Sequence, residues 1–453
     1  NPSPRADDGG LSDLWVLDVA GAEKRKLVDN AGSDSSARWS PDGKWIAYVG
    51  NSDTNRGLSQ SHLLVVPAGG GAPRRLTAGF ELDAGTPVWS GDGKTIYFST
   101  STGQNLAVYA ADVSAATVRG LTRVQGIVNL EELHAATGTI VGTFSSPDRP
   151  SEIFRADGEF KTLERVTDHN AWLKDYALGE VEVLKWTSKD GMEIEGVLTK
   201  PVGFEAGRKY PFLLNPHGGP TGASMASFNG SPQLLAANGY LVLQPNFRGS
   251  VGRGEKFAAA NKNTWGKGDY EDCLTGVDAA IAKGWADPDR LGAFGWSYGG
   301  YMTFWILTQT DRFQAVSPGA GLTNIYSMYS QNDIQRYLRW FYADQSPWDN
   351  VDLYWDRSPM KYIKQVRTPA LILHGQNDTR VPLAQAQEFY RALAEMDVPV
   401  DFVVYPREGH GFREPRHNLD RMRRYLAFFG KYLKNPSVTE PEAELAPMLE
   451  PFK

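Results

Sequence analysis

Hydrophobic and polar positions follow two rhythms along the chain. From Asp13 to about Asn170, short stretches of alternating apolar and polar residues are separated by Gly, Asp and Ser, a pattern that predicts half-buried β-strands and tight turns. Arg38-Trp39-Ser40-Pro41-Asp42-Gly43-Lys44-Trp45-Ile46-Ala47-Tyr48 recurs 50 residues later as Val88-Trp89-Ser90-Gly91-Asp92-Gly93-Lys94-Thr95-Ile96-Tyr97-Phe98. Each copy predicts two strands joined by a two-residue Asp-Gly hairpin, because such a turn needs the positive φ that Gly adopts freely. His62 to Pro67 and Arg74 to Leu76 supply two more strands between the copies, and a degraded third copy runs from Leu130 to Ser145 with Thr137-Gly138 at its turn. Four short antiparallel strands every 45 to 50 residues or so make a β-propeller blade. The stretch accommodates about three and a half of them.

The rhythm changes near Val181. Val181 to Trp186 and Glu193 to Thr199 predict an antiparallel hairpin around Lys189-Asp190-Gly191. Beyond it, short apolar runs (Tyr210 to Asn215, Tyr240 to Pro245, Leu291 to Trp296, Ala315 to Gly319, Ala370 to His374, Val400 to Tyr405) alternate with helical periodicity over Ser231 to Asn238, Tyr270 to Lys283, Gly300 to Gln309, Leu383 to Met396 and Pro415 to Leu433. Strand-helix alternation predicts a mostly parallel, doubly wound sheet with helices on both faces, an α/β fold. The expected domains are therefore a partial propeller over 1–175, an α/β domain over 176–434 and a Pro- and Glu-rich tail over 435–453 that extends over the surface or is mobile.

Composition narrows the functions open to such a chain. With 47 basic and 53 acidic side chains the net charge is −6, spread along the sequence, which is not the basic footprint of a nucleic-acid binder. A single cysteine, Cys273, excludes an intramolecular disulfide and a thiolate zinc site, and on a helix face with Val277 it reads as core. No apolar run reaches the roughly 18 residues of a membrane span. The chain reads as soluble, cytoplasmic or periplasmic, and its composition is compatible with a homo-oligomer.

The candidate chemistry lies in the α/β half. Gly295-Trp296-Ser297-Tyr298-Gly299 stands where an apolar strand meets a helix, the setting of a G-x-S-x-G nucleophile elbow. A serine hydroxyl needs a base, and the base an orienting carboxylate; in this fold the chain order is Ser, acid, His. Asp378 follows the Leu371-Ile372-Leu373 strand by 81 residues from Ser297, and His410 follows the Phe402-Val403-Val404 strand 32 residues later. All three fall in loops at one edge of a parallel sheet, where ligands of open α/β folds bind. The backbone N–H of Tyr298 is one expected oxyanion donor, and that of Gly219, in Asn215-Pro216-His217-Gly218-Gly219-Pro220, is the other.

Rival residues read as structural. His417 lies on a helix as a surface residue, His374 ends a strand with a hydrogen bond to its neighbours, and His62, His134 and His169 belong to the propeller half. Asp349, Asp352 and Asp356 follow no apolar strand, and Glu408 reads as solvated or as a partner behind the site. No His-Glu-x-x-His occurs, and Gly69-Gly70-Gly71 lacks the Lys-Ser/Thr of a phosphate cradle, so neither metal nor cofactor is expected.

Gly-Trp-Ser-Tyr-Gly-Gly-Tyr-Met at 295–302, His-Gly-Gly-Pro at 217–220, Asn246-Phe247-Arg248-Gly249-Ser250 and the Asp378 and His410 loops together resemble the prolyl oligopeptidase family of serine peptidases. Within it the chain is most similar to the acylaminoacyl-peptidase and bacterial dipeptidyl-peptidase branch. The resemblance implies an α/β hydrolase preceded by a propeller that caps the site, hydrolysing short peptides. Ser297 is then the nucleophile, His410 the base and Asp378 its partner. Val381 and the segment Leu322 to Tyr329, especially Leu322, Ile325 and Tyr329, are expected to line an apolar pocket for the residue before the cut, whose lack of aromatic residues at 322 and 325 argues against strict proline specificity. Arg248 is expected to position a substrate carbonyl or to order the site's wall. Glu131-Glu132 is the one adjacent glutamate pair available as an amine anchor in the blades, and a solvated edge is the better reading of it.

A small-molecule esterase on the same triad, or a silent hydrolase carrying a binding propeller, are the alternatives. Half a ring of blades also predicts a companion propeller segment of roughly 160 to 180 residues, from a longer chain or from a cut before the loop-like Asn1 segment.

Overall fold

The computed structural model describes residues 11–51 and 59–434. The expected tail over 435–453 and the loop at Asn1 lie outside the described residues. Two compact units are present. The first gathers the chain up to Tyr176 with Met225–Asn229 and Gly249–Ala260; the second holds Ala177–Ser224, Gly230–Arg248 and the chain from Asn261 onward. The two short excursions of the first unit fall inside what the sequence assigns to the α/β domain.

The first unit is built of antiparallel strands β1 (Trp15–Leu17), β2 (Lys24–Lys26), β3 (Asp34–Trp39), β4 (Trp45–Gly50), β5 (His62–Pro67), β6 (Arg74–Arg75), β7 (Val88–Trp89), β8 (Thr95–Thr102), β9 (Asn105–Asp112), β10 (Val118–Gly120), β11 (Ile127–His134), β12 (Thr139–Ser146), β13 (Arg149–Ala156) and β14 (Leu163–Arg165). They pair as β1–β2, β3 to β6, β7 to β10 and β11 to β14. A single parallel pair, Ile127 and Leu106, joins the last two groups as strands, and Ser99 adds side-chain bonds to Val128 and Leu130. These are part of a β-propeller. Between the blades lie small cores such as Ala47, Leu63, Val65, Trp89, Ile96 and Phe98.

The repeated turn differs from the expected two-residue hairpin. Ser40 N–H bonds to Trp45 O, so four residues form the loop, and only Gly43 takes positive φ, at 70°. The reason is side-chain chemistry. Ser40 Oγ–H donates to Asp42 Oδ1 at 2.7 Å and accepts from Trp45 N–H at 3.0 Å, and Asp42 Oδ1 also takes Lys44 N–H. Ser90, Asp92, Lys94 and Thr95 repeat the same bonds. Local side-chain acceptors thus stabilise a wider turn than the dipeptide alone suggests.

The second unit contains β15 (Val181–Thr187), β16 (Glu193–Thr199), β17 (Tyr210–Leu214), β18 (Leu241–Asn246), β19 (Ala286–Trp296), β20 (Ala315–Gly319), β21 (Ala370–Gly375) and β22 (Val400–Tyr405). Its helices are α1 (Gly230–Ala237), α3 (Gly268–Ala282), α4 (Tyr298–Gln309), α5 (Ile325–Gln331), α6 (Gln335–Phe341), α7 (Val351–Trp355), α8 (Leu383–Glu395) and α9 (Pro415–Leu433); α2 (Glu255–Ala258) belongs to the first unit. The strand order is β15-β16-β18-β17-β19-β20-β21-β22, antiparallel at the start and parallel from β18 onward. This is the α/β-hydrolase sheet. Strands β17, β20 and β21 are buried at every position, as apolar runs covered on both faces require. On one face α9 lays Tyr425, Leu426, Phe429 and Leu433 against Leu213 and Phe294. Helix α4 is buried from Tyr298 to Thr308, which fixes the start of the helix that follows Ser297.

Candidate active site

Strand β19 ends at Trp296 and α4 begins at Tyr298, leaving Ser297 alone in the bend with φ 64° and ψ −121°. A non-glycine residue at positive φ is strained and persists only where its surroundings enforce it. Here they do: Ser297 N–H donates to Gly319 O on β20 at 3.0 Å. A Cβ on Gly295 would lie 2.4 Å from Gly299 O, and one on Gly299 2.1 Å from Pro216 O, so only glycine fits on either side of the serine.

The structure brings Ser297, His410 and Asp378 together. His410 Nε2 lies 2.8 Å from Ser297 Oγ, and its Nδ1 lies 2.8 Å from Asp378 Oδ2. Asp378 is buried, and its Oδ1 accepts the N–H groups of Arg380 and Val381, each at 2.9 Å. Burial would raise the carboxyl's pKa, but hydrogen bonds from His374, His410 and the Val381 N–H outweigh it and hold the group down at about 2. An ionised Asp378 requires Nδ1 of His410 to donate, which leaves the Nε2 lone pair for the serine hydroxyl.

The His410 loop is anchored by a carboxylate that the sequence offers as solvated or as a partner behind the site. Glu408 is buried and accepts Arg413 N–H at 2.8 Å, Glu414 N–H at 2.9 Å and His417 Nδ1 at 2.9 Å. It thereby ties down the turn that leads into α9. His417 lies on that helix facing Glu408. Glu408, Glu414 and His417 bring ligand atoms within 4.8 Å of one another, the one such metal-capable group among the described residues. Its carboxylates are already committed, since Arg407 donates to both oxygens of Glu414 at 2.8 Å.

The start of α4 and the loop after β17 stand beside the serine. Tyr298 opens α4, so its N–H lies in the first turn, where helices have no internal acceptor. Its phenol donates to the buried carboxyl of Asp269. The loop after β17 passes against Ser297: a Cβ on Gly218 would sit 3.3 Å from Ser297 Cβ and 3.9 Å from its Oγ. His217 holds this loop, its ring stacked on Phe247 at 4.4 Å and its Nδ1 2.8 Å from Gly218 O. Burial lowers the His217 pKa to about 4, so the ring is neutral.

A cavity of about 380 Å³ opens beside Ser297 and His410, with Gly219, Leu322 and Val381 on its lining. Met328, within the expected segment from Leu322 to Tyr329, also lines it, as do Trp265, Ile334, Tyr337 and Arg380, which the sequence reading does not name. Ile325 and Tyr329 do not reach this lining. Ile325 is fully buried at the start of α5, and Tyr329 packs edge-on against Trp348 and Tyr354. An α-helical turn places Met328, rather than its neighbour Tyr329, on the cavity side.

Arg248 is likewise not a cavity residue. It is 8% exposed, and its guanidinium donates to Asp272 at 2.8 and 2.9 Å and to Asp190 at 2.6 and 3.0 Å. Two carboxylates claim the cation for a tie between α3 and the β15–β16 turn. The cation that does line the cavity is Arg380, two residues after Asp378, which donates to Asp333 at 2.6 and 3.3 Å. Its signal was its place in the loop of the triad acid. Glu131 and Glu132 are exposed, at a register shift in β11 of the first unit. Among the described residues no helix is long and apolar enough to cross a membrane.

Comparison with known proteins places this geometry. Residues 226–436 match the sequence profile of the prolyl oligopeptidase family. The chain is 30% identical over 351 residues to the uncharacterized peptidase YuxL of Bacillus subtilis, covering 77% of this chain and 53% of that protein. It is 26% identical to dipeptidyl-peptidase 5 of Porphyromonas gingivalis, covering 93% and 63%. The solved acylaminoacyl peptidase of Pyrococcus horikoshii superposes with a TM-score of 0.82 at 27% identity, covering 93% of this chain and 66% of that one. The chain thus spans between about half and two thirds of the length of these relatives. With the elbow, the three facing side chains and the sheet order in agreement, the chain belongs, through its α/β half, to the prolyl oligopeptidase family.

Proposed function

We propose that this chain carries the catalytic half of a serine peptidase that cleaves short peptides after an apolar residue. The observation that carries the reading is the unbroken line from Asp378 through His410 to Ser297, with both hydrogen bonds at 2.8 Å, beside an apolar cavity. Ser297 Oγ attacks the substrate carbonyl carbon as its proton passes to His410 Nε2. The carbonyl electrons move onto oxygen, and the N–H groups of Tyr298 and Gly219 donate hydrogen bonds to the oxyanion so formed. Collapse reforms the carbonyl and breaks the C–N bond, and His410 gives its proton to the departing amine. Water then repeats the sequence on the acyl-serine.

Leu322, Met328, Ile334 and Val381 suit a hydrophobic side chain before the cut. Arg380, whose guanidinium Asp333 only partly occupies, suits a substrate backbone carbonyl and disfavours a free ammonium nearby. This supports acylated or internal peptides over free-amine dipeptides. The test is a panel of chromogenic peptides with acetylated, blocked and free amino ends, run beside a simple ester and a fluorophosphonate probe. Acetylated peptides ending in an apolar residue should be cut fastest, and Ser297→Ala should abolish both cleavage and labelling. Labelling that survives Ser297→Ala, or an ester preference with no peptide hydrolysis, would overturn the peptidase reading.

A further inference from the structure

His374, the penultimate residue of β21, is fully buried behind the triad acid. Its Nε2 lies 2.8 Å from Val381 O and 3.4 Å from Asp378 Oδ2. Both neighbours are acceptors only, a backbone carbonyl and an ionised carboxylate, so Nε2 carries the proton. Nδ1 is buried with no hydrogen-bond partner, and a second proton there would be an unpaired charged donor, so the ring is neutral. Asp378 Oδ2 therefore accepts from His410 Nδ1–H at 2.8 Å and lies at 3.4 Å on the longer arm of the His374 N–H, whose shorter arm goes to Val381 O, while its Oδ1 takes the backbone N–H of Arg380 and of Val381. Val381 is held at both ends of its peptide frame: its N–H goes to Asp378 and its carbonyl to His374. One ring thus closes the loop that carries both the acid and a wall of the apolar cavity.

We propose that His374 is a positioning residue for the reaction, the donor that locks the Asp378 carboxylate toward His410 and ties it to Val381. This rests on the triad reading above. A hydrogen bond to a charged group contributes about 1.5 to 3 kcal/mol, which corresponds to roughly a ten- to hundredfold change in rate when the bond sets the reacting geometry.

The experiment compares His374→Leu, His374→Asn and His374→Gln in the whole chain on one acetylated chromogenic peptide, with melting temperatures recorded for each. A glutamine amide nitrogen stands as many bonds from Cβ as Nε2 does, whereas that of asparagine falls one bond short. His374→Gln should keep kcat within about threefold of wild type, and His374→Leu and His374→Asn should lose roughly ten- to hundredfold in kcat with little change in KM. If His374→Leu fails to fold, the Asn and Gln pair decides. Equal kcat for Asn and Gln, or a folded His374→Leu within about twofold of wild type, would overturn the proposal. An unreactive wild-type Ser297 would instead sink the peptidase reading on which it stands.

Discussion

Trp296 donates its indole N–H to the backbone oxygen of His410 at 2.6 Å. The residue immediately before the nucleophile thereby holds the main chain of the base, across 114 positions of sequence. Its ring also meets Phe412 edge-on at 4.9 Å, so the loop after His410 is gripped from the same side. Trp296→Phe keeps the ring and removes the donor. It should lower kcat roughly tenfold, with KM nearly unchanged, in steady-state hydrolysis of a blocked peptide. An unaltered kcat would mean that Glu408 alone holds the loop.

Arg380→Met removes the one guanidinium on the cavity lining while keeping a chain of similar length. Peptide kcat/KM should fall roughly ten- to hundredfold, chiefly through KM, because a charged hydrogen bond to the substrate is lost. Hydrolysis of a small ester without a peptide backbone should change little. Equal losses on both substrates would place Arg380 in loop stability rather than recognition.

Asp269 gives a pH signature opposite to that of an ion-paired carboxylate. Burial pushes its pKa up to about 7, against an ordinary aspartate value of about 3.9. The folded protein therefore binds this proton more tightly than the unfolded chain does. Its contribution to stability is complete below about pH 4 and is lost as pH rises toward 7, by an amount on the order of 4 kcal/mol. Asp269→Asn cannot ionise and keeps an acceptor for the Tyr298 phenol. Melting curves of the variant and wild type should differ little at pH 4 and diverge in the variant's favour up to pH 7. Parallel curves across that range would show that Asp269 does not titrate there.

In the propeller half, Ser90→Ala removes one bond to Asp92 and one from Thr95 N–H. The local cost should be about 1 kcal/mol, which hydrogen exchange reads as a roughly fivefold faster rate at the Thr95 amide. Ser40→Ala should do the same at Trp45, since that turn is built from the same bonds. Exchange in β19 should not move.

The sequence states these arrangements unevenly. The convergence of Ser297, Asp378 and His410 was legible because each sits at the end of an apolar strand in a loop of fixed order, so the sheet itself brings them together. The repeated Trp-Ser-x-Asp-Gly-Lys marked the blades for the same reason: local bonds repeat with local residues. What escaped was part of the cavity lining. Ile334 and Tyr337 lie on or beside short helices of five to seven residues between Ile325 and Trp355, too brief to show a periodic stripe. Arg248 and Arg380 both follow strand-like runs, and no local pattern tells which cation two carboxylates, one buried and one exposed, will claim. Asp272 and Asp190 settle that in three dimensions, from residues 24 and 58 positions away.

The cavity is assembled unequally as well. Leu322, Met328, Ile334 and Tyr337 all come from one stretch between β20 and β21, while Ser297, Asp378 and His410 stand on three other loops. The part of the lining that lies between β20 and β21 is therefore separable from the proton relay, whereas Arg380 and Val381 share the loop of Asp378. A single contiguous exchange between β20 and β21 could retune which residue is accepted before the cut and leave the proton relay as it stands.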